Sequence, residues 1–365
     1  MKPFLSLIIP YHNSSETIGR LLGSIQGSKK APSYEVIVVD DGSSTKFQIP
    51  SSKFQTRLRQ GFGGQVNSKF SLRVVTLHKN MGPAVARNRG VKVARGKFVV
   101  FLDSDVELFP DTLHNLAKIY QDDPDVVAVT GVWVKEQRSK AFFPNYKALR
   151  DWSYWINERD KSGYYFLFST RIASIKKTVF QRLGGFDETY PAPLVEDIEL
   201  TYRIARRYAI IFAPNVRVRH EFESFWPVAK KYFLRAYYWT KLYQRRKKFD
   251  PVATTLQEAL TTVTGVGTVF FGLISLLLLP TLPAMSNVKC QMSNVVSIFS
   301  CYYPLVIVYW SLVILFLHLF LTRKFLAFMV KEKGIVFSIK GFFMGLILYC
   351  FIFAGALAGR VKHDG

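Results

Sequence analysis

The chain has 365 residues, with 49 Lys and Arg against 26 Asp and Glu, a net charge of +23 and three cysteines. That length admits about two domain-sized units, and so few thiols exclude a disulfide framework. The positive excess suits a protein that meets anionic lipid headgroups and phosphorylated substrates; nucleic acid is the competing partner, and the apolar C-terminal part disfavours it.

Composition divides the chain unevenly. Up to about Lys248 apolar strand patterns alternate with charged helical ones, whereas residues 259–288, 290–322 and 341–359 carry no Lys, Arg, Asp or Glu. Each interval supplies the roughly 20 apolar residues that cross a bilayer. We read three spans, 261–282, 298–321 and 341–359, in a membrane domain over 259–360. Arg245-Arg246-Lys247-Lys248 precede the first span, and an expected loop between the second and third holds Arg323, Lys324, Lys331, Lys333 and Lys340. Lys289 stands between the first and second. By the positive-inside rule the chain is a multi-pass cell-membrane protein with its N-terminal domain in the cytoplasm, although Arg360 and Lys362 run against that orientation. Met1-Lys2-Pro3-Phe4 leads straight into a strand pattern, so no secretory signal is expected. Cys290, Cys301 and Cys350 all lie in the membrane part, as a reducing compartment for the N-terminal domain implies. Idle thiols are preferred there over a bridge between Cys290 and Cys301.

Residues 4–10 form a first strand, followed by Tyr11-His12-Asn13-Ser14 and a helix marked by Ile18, Leu21, Leu22 and Ile25. Val36-Ile37-Val38-Val39 is a second buried strand that ends in Asp40-Asp41-Gly42-Ser43. Strand, helix, strand without a hairpin signal is a βαβ unit, which requires a parallel sheet. A dinucleotide fold would place G-x-G-x-x-G where Pro10-Tyr11-His12-Asn13 stands, so a conventional NAD enzyme is disfavoured. Residues 46–71 lack periodicity, and Gln60-Gly61-Phe62-Gly63-Gly64-Gln65 reads as a surface insertion in preference to a phosphate cradle. A strand over 72–77 leads to Asn80-Met81-Gly82-Pro83, with Pro83 in the first turn of a helix that carries Arg87, Asn88 and Arg89. These arginines are either solvated charges or phosphate ligands at a helix start.

Phe98-Val99-Val100-Phe101-Leu102 then delivers Asp103 and Asp105 to the end of a strand buried on both faces. Open α/β sheets bind ligands beyond such ends, and two Asp two apart can hold a hard cation and through it a diphosphate. The plain alternative is that they end the strand and cap the helix near Pro110.

The series Ile8-Ile9-Pro10-Tyr11-His12-Asn13, Val39-Asp40-Asp41-Gly42-Ser43, Asn80-x-Gly82-Pro83-x-x-Ala86-Arg87-Asn88-x-Gly90 and Leu102-Asp103-Ser104-Asp105 resembles the inverting family 2 glycosyltransferases of GT-A fold. Gly184-Gly185-Phe186-Asp187-Glu188 and Glu196-Asp197-Ile198-Glu199-Leu200 extend the likeness. It implies an α/β, Rossmann-like, mostly parallel nucleotide-sugar-binding domain over 1–223; it covers the membrane part only in general style, and the interface helix expected over 224–250 and the helical membrane domain rest on their own residue patterns. It also implies site roles. Pro10, Tyr11, Asp40 and Asp41 would hold the base and ribose of a UDP- or GDP-linked sugar, with Arg87 and Asp103 as further donor contacts. Asp105 would be the main ligand of a divalent Mn2+ or Mg2+ that neutralises the leaving diphosphate, with His220 as a second contact to metal or diphosphate. Asp197 would be the general base for an acceptor hydroxyl, with Glu196 beside it in the same catalytic motif. Alternatively, Glu196, Asp197 and Glu199 merely oppose a helix dipole. Asp103 with Asp197 as the carboxylate pair of a glycoside hydrolase would leave the nucleotide loop unexplained. Trp152, Trp155, Tyr164 and Tyr165 read as packing in preference to a sugar platform.

From Phe225 to Lys248 apolar and aromatic positions (Phe225, Ala229, Tyr232, Phe233, Ala236, Tyr237, Thr240, Tyr243) interleave with Lys230, Lys231, Arg235, Lys241 and the basic run, and no acid falls between Glu223 and Asp250. This is the pattern of an amphipathic helix lying on an anionic membrane. It would hold the active site at the bilayer, and the expected acceptor is therefore a lipid or lipid-linked molecule. Arg203-Ile204-Ala205-Arg206-Arg207-Tyr208 contains no Q-x-x-R-W, the signature of processive synthases in the family, so transfer of one sugar is expected. A polyprenyl-phosphate glycosyltransferase is the nearest alternative. Its phosphate acceptor hardly needs a base, so a role for Asp197 favours a hydroxyl. A catalytically silent sugar-nucleotide sensor or scaffold is the alternative of another class, and intact Asp105 and Asp197 argue against it.

Overall fold

The computed structural model describes residues 2–45, 47–48, 70–158, 166–190, 194–249, 255–278 and 295–361. The glycine-rich stretch 60–65, Tyr164, Tyr165, Cys290 and the last residues of the expected first span lie outside the described residues, as does the side chain of Cys301. Two units form, one from Met1–Ala148 with Asp160–Glu223 and the other from Leu149–Arg159 with Ser224–Gly365.

The first unit is built on β1 (Leu5–Tyr11), β2 (Tyr34–Asp40), β3 (Phe70–Thr76), β4 (Phe98–Leu102), β5 (Val106–Leu108), β6 (Ala128–Trp133), β7 (Ile172–Lys176) and β8 (Ile210–His220). They make one sheet in the order β3-β2-β1-β4-β7-β6-β8-β5. β1 to β4 run parallel, β7 lies antiparallel between β4 and β6, and β8 is parallel to β6. Its helices are α1 (Ser15–Gln26), α2 (Pro83–Val93), α3 (Thr112–Asp122), the part of α4 (Phe142–Trp152) up to Ala148, α5 (Lys177–Arg182) and α6 (Glu196–Ala205). Every residue of β2 and β4 is buried, as a strand covered on both faces requires. Helix α1 buries Ile18, Leu21, Leu22 and Ile25, the four positions its spacing predicts. Each such side chain contributes about 1.5–3 kcal/mol.

The sheet is larger than the sequence pattern shows. Strands β5, β6 and β7 are short, and no long alternation marks them. Strand β8 runs on through 11 residues to His220. The pairing of β6 with β8 jumps from Thr130 opposite Phe212 to Val132 opposite Arg217, and the extra residues on β8 include Pro214. A bulge has no use for the N–H that proline lacks, so Pro214 does not end the strand.

The second unit contains α7 (Phe225–Arg246), α8 (Leu256–Leu278), α9 (Val295–Lys333) and α10 (Ile335–Val361). Three helical stretches are long and apolar enough to cross a membrane: Leu256–Leu278, Leu305–Lys333 and Ile335–Val361, of 23, 29 and 27 residues. At about 1.5 Å per residue each exceeds the ~30 Å hydrocarbon core. The basic cluster expected in a loop is instead helical. Arg323, Lys324, Lys331 and Lys333 close α9, Lys340 lies early in α10, and the break is Gly334 at φ +86°. With no glycine or proline between Pro304 and Gly334, nothing stops α9 at the end of its apolar run.

Helix α7 packs on α10. A Cβ at Gly355 would lie 2.1 Å from the Phe233 carbonyl oxygen, and one at Gly359 2.5 Å from that of Tyr237. Two glycines four residues apart thus let the backbones touch, the small-xxx-small mode of apolar helix pairs. Trp152 stacks on Phe328 with ring centres 5.4 Å apart, which makes it core packing of this unit.

Candidate active site

Parallel β1, β2 and β4 bring Tyr11, the Asp40-Asp41 pair and the Asp103-Ser104-Asp105 turn to one edge of the sheet. β8 runs in the same sense and carries His220 there, opposite Val106 of β5.

Around the ends of β1 and β2 the acids organise the loops. Asp41 accepts the backbone N–H groups of Met81 and Gly82, both at 2.8 Å. Asp40 accepts those of Ser43 at 3.0 Å and Phe47 at 2.8 Å. Between them and the β3–α2 loop, Gly42 sits at φ +62°, and a Cβ there would lie 2.2 Å from the Lys79 carbonyl carbon. The His12 Nε2 accepts the amides of Asn80 at 3.1 Å and Asn13 at 3.2 Å, so by the bonding pattern its proton is on Nδ1, donated to the Asp41 carbonyl at 2.9 Å. Both carboxylates are thus turned onto backbone amides, an arrangement that shapes the loops expected to hold a nucleotide. Tyr11 is buried with its ring edge-on to Phe47; burial, then the charge of Asp40, raises its hydroxyl pKa. Pro10 is half-buried beside it.

At the centre lies Arg87, only 1% exposed and so no solvated charge. Its Nη2 donates to Asp103 at 2.7 Å and its Nη1 to Glu196 at 2.8 Å. Burial opposes the guanidinium charge, but Asp103 and Glu196 together more than offset it and raise its pKa. Glu196 is itself 2% exposed and also accepts the Leu194 N–H at 2.9 Å, so both of its oxygens are engaged within the protein. Asp103, expected as a donor contact, gives its Oδ1 to Arg87 and keeps a partly exposed side chain. The next residue completes the junction: the Asn88 amide donates to the Phe186 carbonyl at 2.9 Å and to Glu188 at 3.0 Å, and accepts the Phe186 N–H at 2.9 Å. Gly185, at φ +75°, has this amide where its Cβ would be, 2.6 Å from Asn88 Oδ1. The Ala86-Arg87-Asn88 and Gly184-Gly185-Phe186-Asp187 motifs are therefore two sides of one contact. Asp197, the second residue of α6, is half-buried and accepts the Ile198 N–H at 2.9 Å.

Asp105 is 3.3 Å from His220 through Oδ2 and Nε2. The His220 Nδ1 is buried and has no hydrogen-bond partner among the described residues. Gln137, which no sequence pattern distinguishes, brackets this histidine: its amide donates to the His220 carbonyl and its oxygen accepts the Phe222 N–H, both at 2.9 Å. Arg138 alongside pairs with Glu107 and takes Glu221 at its backbone, and the Arg138 hydrogen bond draws the Glu107 carboxyl below its usual pKa. Among the described residues no cluster of three or more His, Cys, Asp or Glu forms a self-contained metal cage. A carboxylate and an imidazole side by side do fit a divalent ion that draws its remaining ligands from a diphosphate and water.

Residues 6–183 match the family model described as Glycosyl transferase family 2. The chain carries the domain of a family 2 glycosyltransferase. The glucosyl-dolichyl phosphate glucuronosyltransferase of Haloferax volcanii is 25% identical over 251 residues, 59% of this chain and 70% of that protein. The pre-mycofactocin glycosyltransferase of Mycobacterium tuberculosis is 28% identical over 223 residues; the match takes in 60% of this chain and 42%, less than half, of that relative. The fold is shared with a mannosyltransferase, PcManGT from Pyrobaculum calidifontis, solved with GDP-Man and Mn2+, at a TM-score of 0.51 and 18% identity over 100% of this chain and 89% of the other. A GT-A-like, mostly parallel sheet followed by long apolar helices is thus the architecture of this chain.

Proposed function

We propose that the chain is a membrane-bound inverting glycosyltransferase that moves one sugar from a UDP- or GDP-linked donor to a hydroxyl of a lipid or lipid-linked acceptor, with its catalytic domain on the cytoplasmic face. The observation that carries this reading is the Asp103–Arg87–Glu196 bridge, which ties the donor-side acids to the first turn of the helix that bears Asp197. Donor and acceptor chemistry must meet within ångströms, and a buried, doubly bonded guanidinium holds the two halves in register. Asp197, still partly exposed, takes the proton of the attacking hydroxyl. Asp105 and His220 would hold Mn2+ or Mg2+, which supplies charge neutralisation for the departing diphosphate. Tyr11 and the loops ordered by Asp40 and Asp41 enclose the nucleotide. The lipid-linked acceptor draws support from the three apolar helices and from the printed name of the Haloferax volcanii relative.

A donor panel with a lipid extract and either metal, read by mass spectrometry of the product, tests the proposal. Asp197→Asn should nearly abolish transfer while nucleoside diphosphate still binds. If that variant stays largely active, the acceptor is a polyprenyl phosphate. If no donor releases nucleoside diphosphate, the silent sensor replaces the enzyme.

A further inference from the structure

We infer that His12 is a positioning residue of the donor site that works only as the neutral imidazole, so that binding of a nucleotide sugar is linked to the charge of this one side chain. The inference rests on the nucleotide-sugar reading of the loops around it. Its own loop after β1, the turn 41–44 after β2 and the stretch 80–82 between β3 and α2 all meet at the ring. Nδ1 bonds to the Asp41 carbonyl at 2.9 Å, while Nε2 faces the side-chain amides of Asn80 at 3.1 Å and Asn13 at 3.2 Å.

Bonds made elsewhere fix the orientation of both amides. Asn13 Oδ1 accepts the N–H and the hydroxyl of Ser44, both at 3.0 Å, and Asn80 Oδ1 accepts the Gly82 N–H at 3.1 Å. Each amide therefore turns its NH2 to His12, and the Asp41 carbonyl can only accept. Every neighbour requires a proton on Nδ1 and none on Nε2. Asn13 reaches this arrangement at φ +51°, a left-handed conformation that asparagine enters more readily than most residues. Its own N–H is held by the Ser43 hydroxyl at 3.1 Å. A proton on Nε2 would set a third donor against two amides that cannot turn over without giving up Ser44 and Gly82. The three loops must then part. His12 is exposed, so the proton arrives from solvent. Imidazoles change charge between about pH 5 and 8. The charged groups on the surrounding elements are Asp40 and Asp41, whose carboxylates already lie on backbone amides, Glu16 in the first turn of α1, and His78 and Lys79 just before Asn80. The acids favour an imidazolium through space and Lys79 opposes it, so the requirement for a neutral ring comes from the hydrogen bonds. By reciprocity, a donor that needs the joined loops must expel this proton when it binds in acid.

The test uses the full chain in lipid nanodiscs, as wild type, His12→Gln and His12→Ala. Glutamine keeps an acceptor oxygen for the two amides and does not titrate. The probes are UDP-glucose and GDP-mannose, whose diphosphate is esterified at both ends and so has no group that titrates near about pH 6. Their affinity is measured by calorimetry with saturating Mg2+ from about pH 5.5 to 8, in two buffers of different ionisation enthalpy. Relative to His12→Gln, wild-type affinity should fall about tenfold or more from the alkaline to the acid end, with a proton released on binding there. Any acid limb from Asp105 or His220 is common to both proteins and cancels in that ratio. His12→Ala should bind weakly throughout and lack the His12 limb. Without donor, hydrogen exchange read by mass spectrometry, with labelling times scaled for its intrinsic pH dependence, should show 41–44 and 80–82 losing protection in acid in wild type and not in His12→Gln. A ratio independent of pH, proton uptake in place of release, or unchanged protection of both segments in acid would overturn the role of His12. Proton release and exchange are read on wild type itself, so they decide even where a variant fails to bind. If wild type binds neither probe, the nucleotide-sugar reading fails separately, and exchange alone decides whether a neutral His12 joins the loops.

Discussion

Replacing Arg87 by Met should cost the first unit most of one buried ion pair. The Arg87 side chain is 2% exposed, Glu196 3% and Asp103 29%. Removing one partner of a buried pair costs about 3–5 kcal/mol, because the remaining charge has no water to replace it. Asp103 is close to a third exposed and solvent can take up most of its loss, as at surface pairs worth about 0–1 kcal/mol. The cost therefore falls mainly on Glu196, and about 3–4 kcal/mol is expected. For a unit of this size that lowers the melting temperature by roughly 10 °C. The assay is thermal unfolding of the detergent-solubilised full chain by intrinsic fluorescence. Since two units can melt separately, the relevant transition is the one that nucleoside diphosphate shifts upward. Adding Glu196→Gln removes the stranded charge while its amide oxygen still accepts the Leu194 N–H, so this double variant should recover about half the loss. Adding Asp103→Asn should recover less than about 1 kcal/mol. A loss below about 1 kcal/mol for Arg87→Met, or equal rescue by the two second changes, would refute the assignment of Glu196 as the charge that Arg87 buries.

The metal reading predicts that His220→Ala and Asp105→Ala each weaken Mn2+ binding in the presence of nucleoside diphosphate, read as free Mn2+ by electron paramagnetic resonance. Gln137→Ala, which releases the chain on both sides of His220, should weaken it by about tenfold; unchanged affinity in all three would place the metal elsewhere. Gly355→Leu forces a side chain into the Phe233 carbonyl and should separate α7 from α10, costing on the order of 1–3 kcal/mol, seen as faster proteolysis within residues 225–246. Protection equal to wild type would mean that the helices do not pack there. Glu35 gives a pH dependence. Burial would raise its pKa, but the Arg95 N–H, the Ser6 hydroxyl and the Arg95 charge together bring it below 4.5. A carboxylate lowered on folding stabilises above its unfolded pKa, and that contribution is lost as pH falls through the folded value. Glu35→Gln should therefore flatten the fall of melting temperature below pH 4.5, and an unchanged acid limb would count against the bonds to Ser6 and Arg95.

The catalytic edge was legible in the sequence because buried strands announce where they end. Ile8-Ile9, Val38-Val39 and Phe101-Leu102 each stop at polar residues, and parallel pairing brings those stops together. What each acid faces was not legible, since spacing along a strand says nothing about the loop opposite. Asp41 meets Met81 and Gly82, 40 and 41 residues on, and Glu196 meets Arg87 across 109. Arg87 was picked out as a donor contact, but its burial was not legible, because α2 buries Ala84, Val85, Ala86, Gly90 and Val91 as well. A helix covered nearly all round has no polar stripe against which a buried charge would stand out. His220 was visible only as a lone histidine, because the bulge at Pro214 breaks the alternation that would have placed it at the sheet edge. Gln137, which holds the chain on both sides of His220, belongs to no motif, so nothing in the sequence marked it. Donor chemistry is written at strand ends, where topology forces local pattern, whereas the partner that each side chain meets comes from loops far away in the sequence. That asymmetry is why a nucleotide-sugar enzyme can be recognised from one chain, while the partners of its buried acids, Arg87 for Glu196 and the Met81 and Gly82 amides for Asp41, require the folded edge.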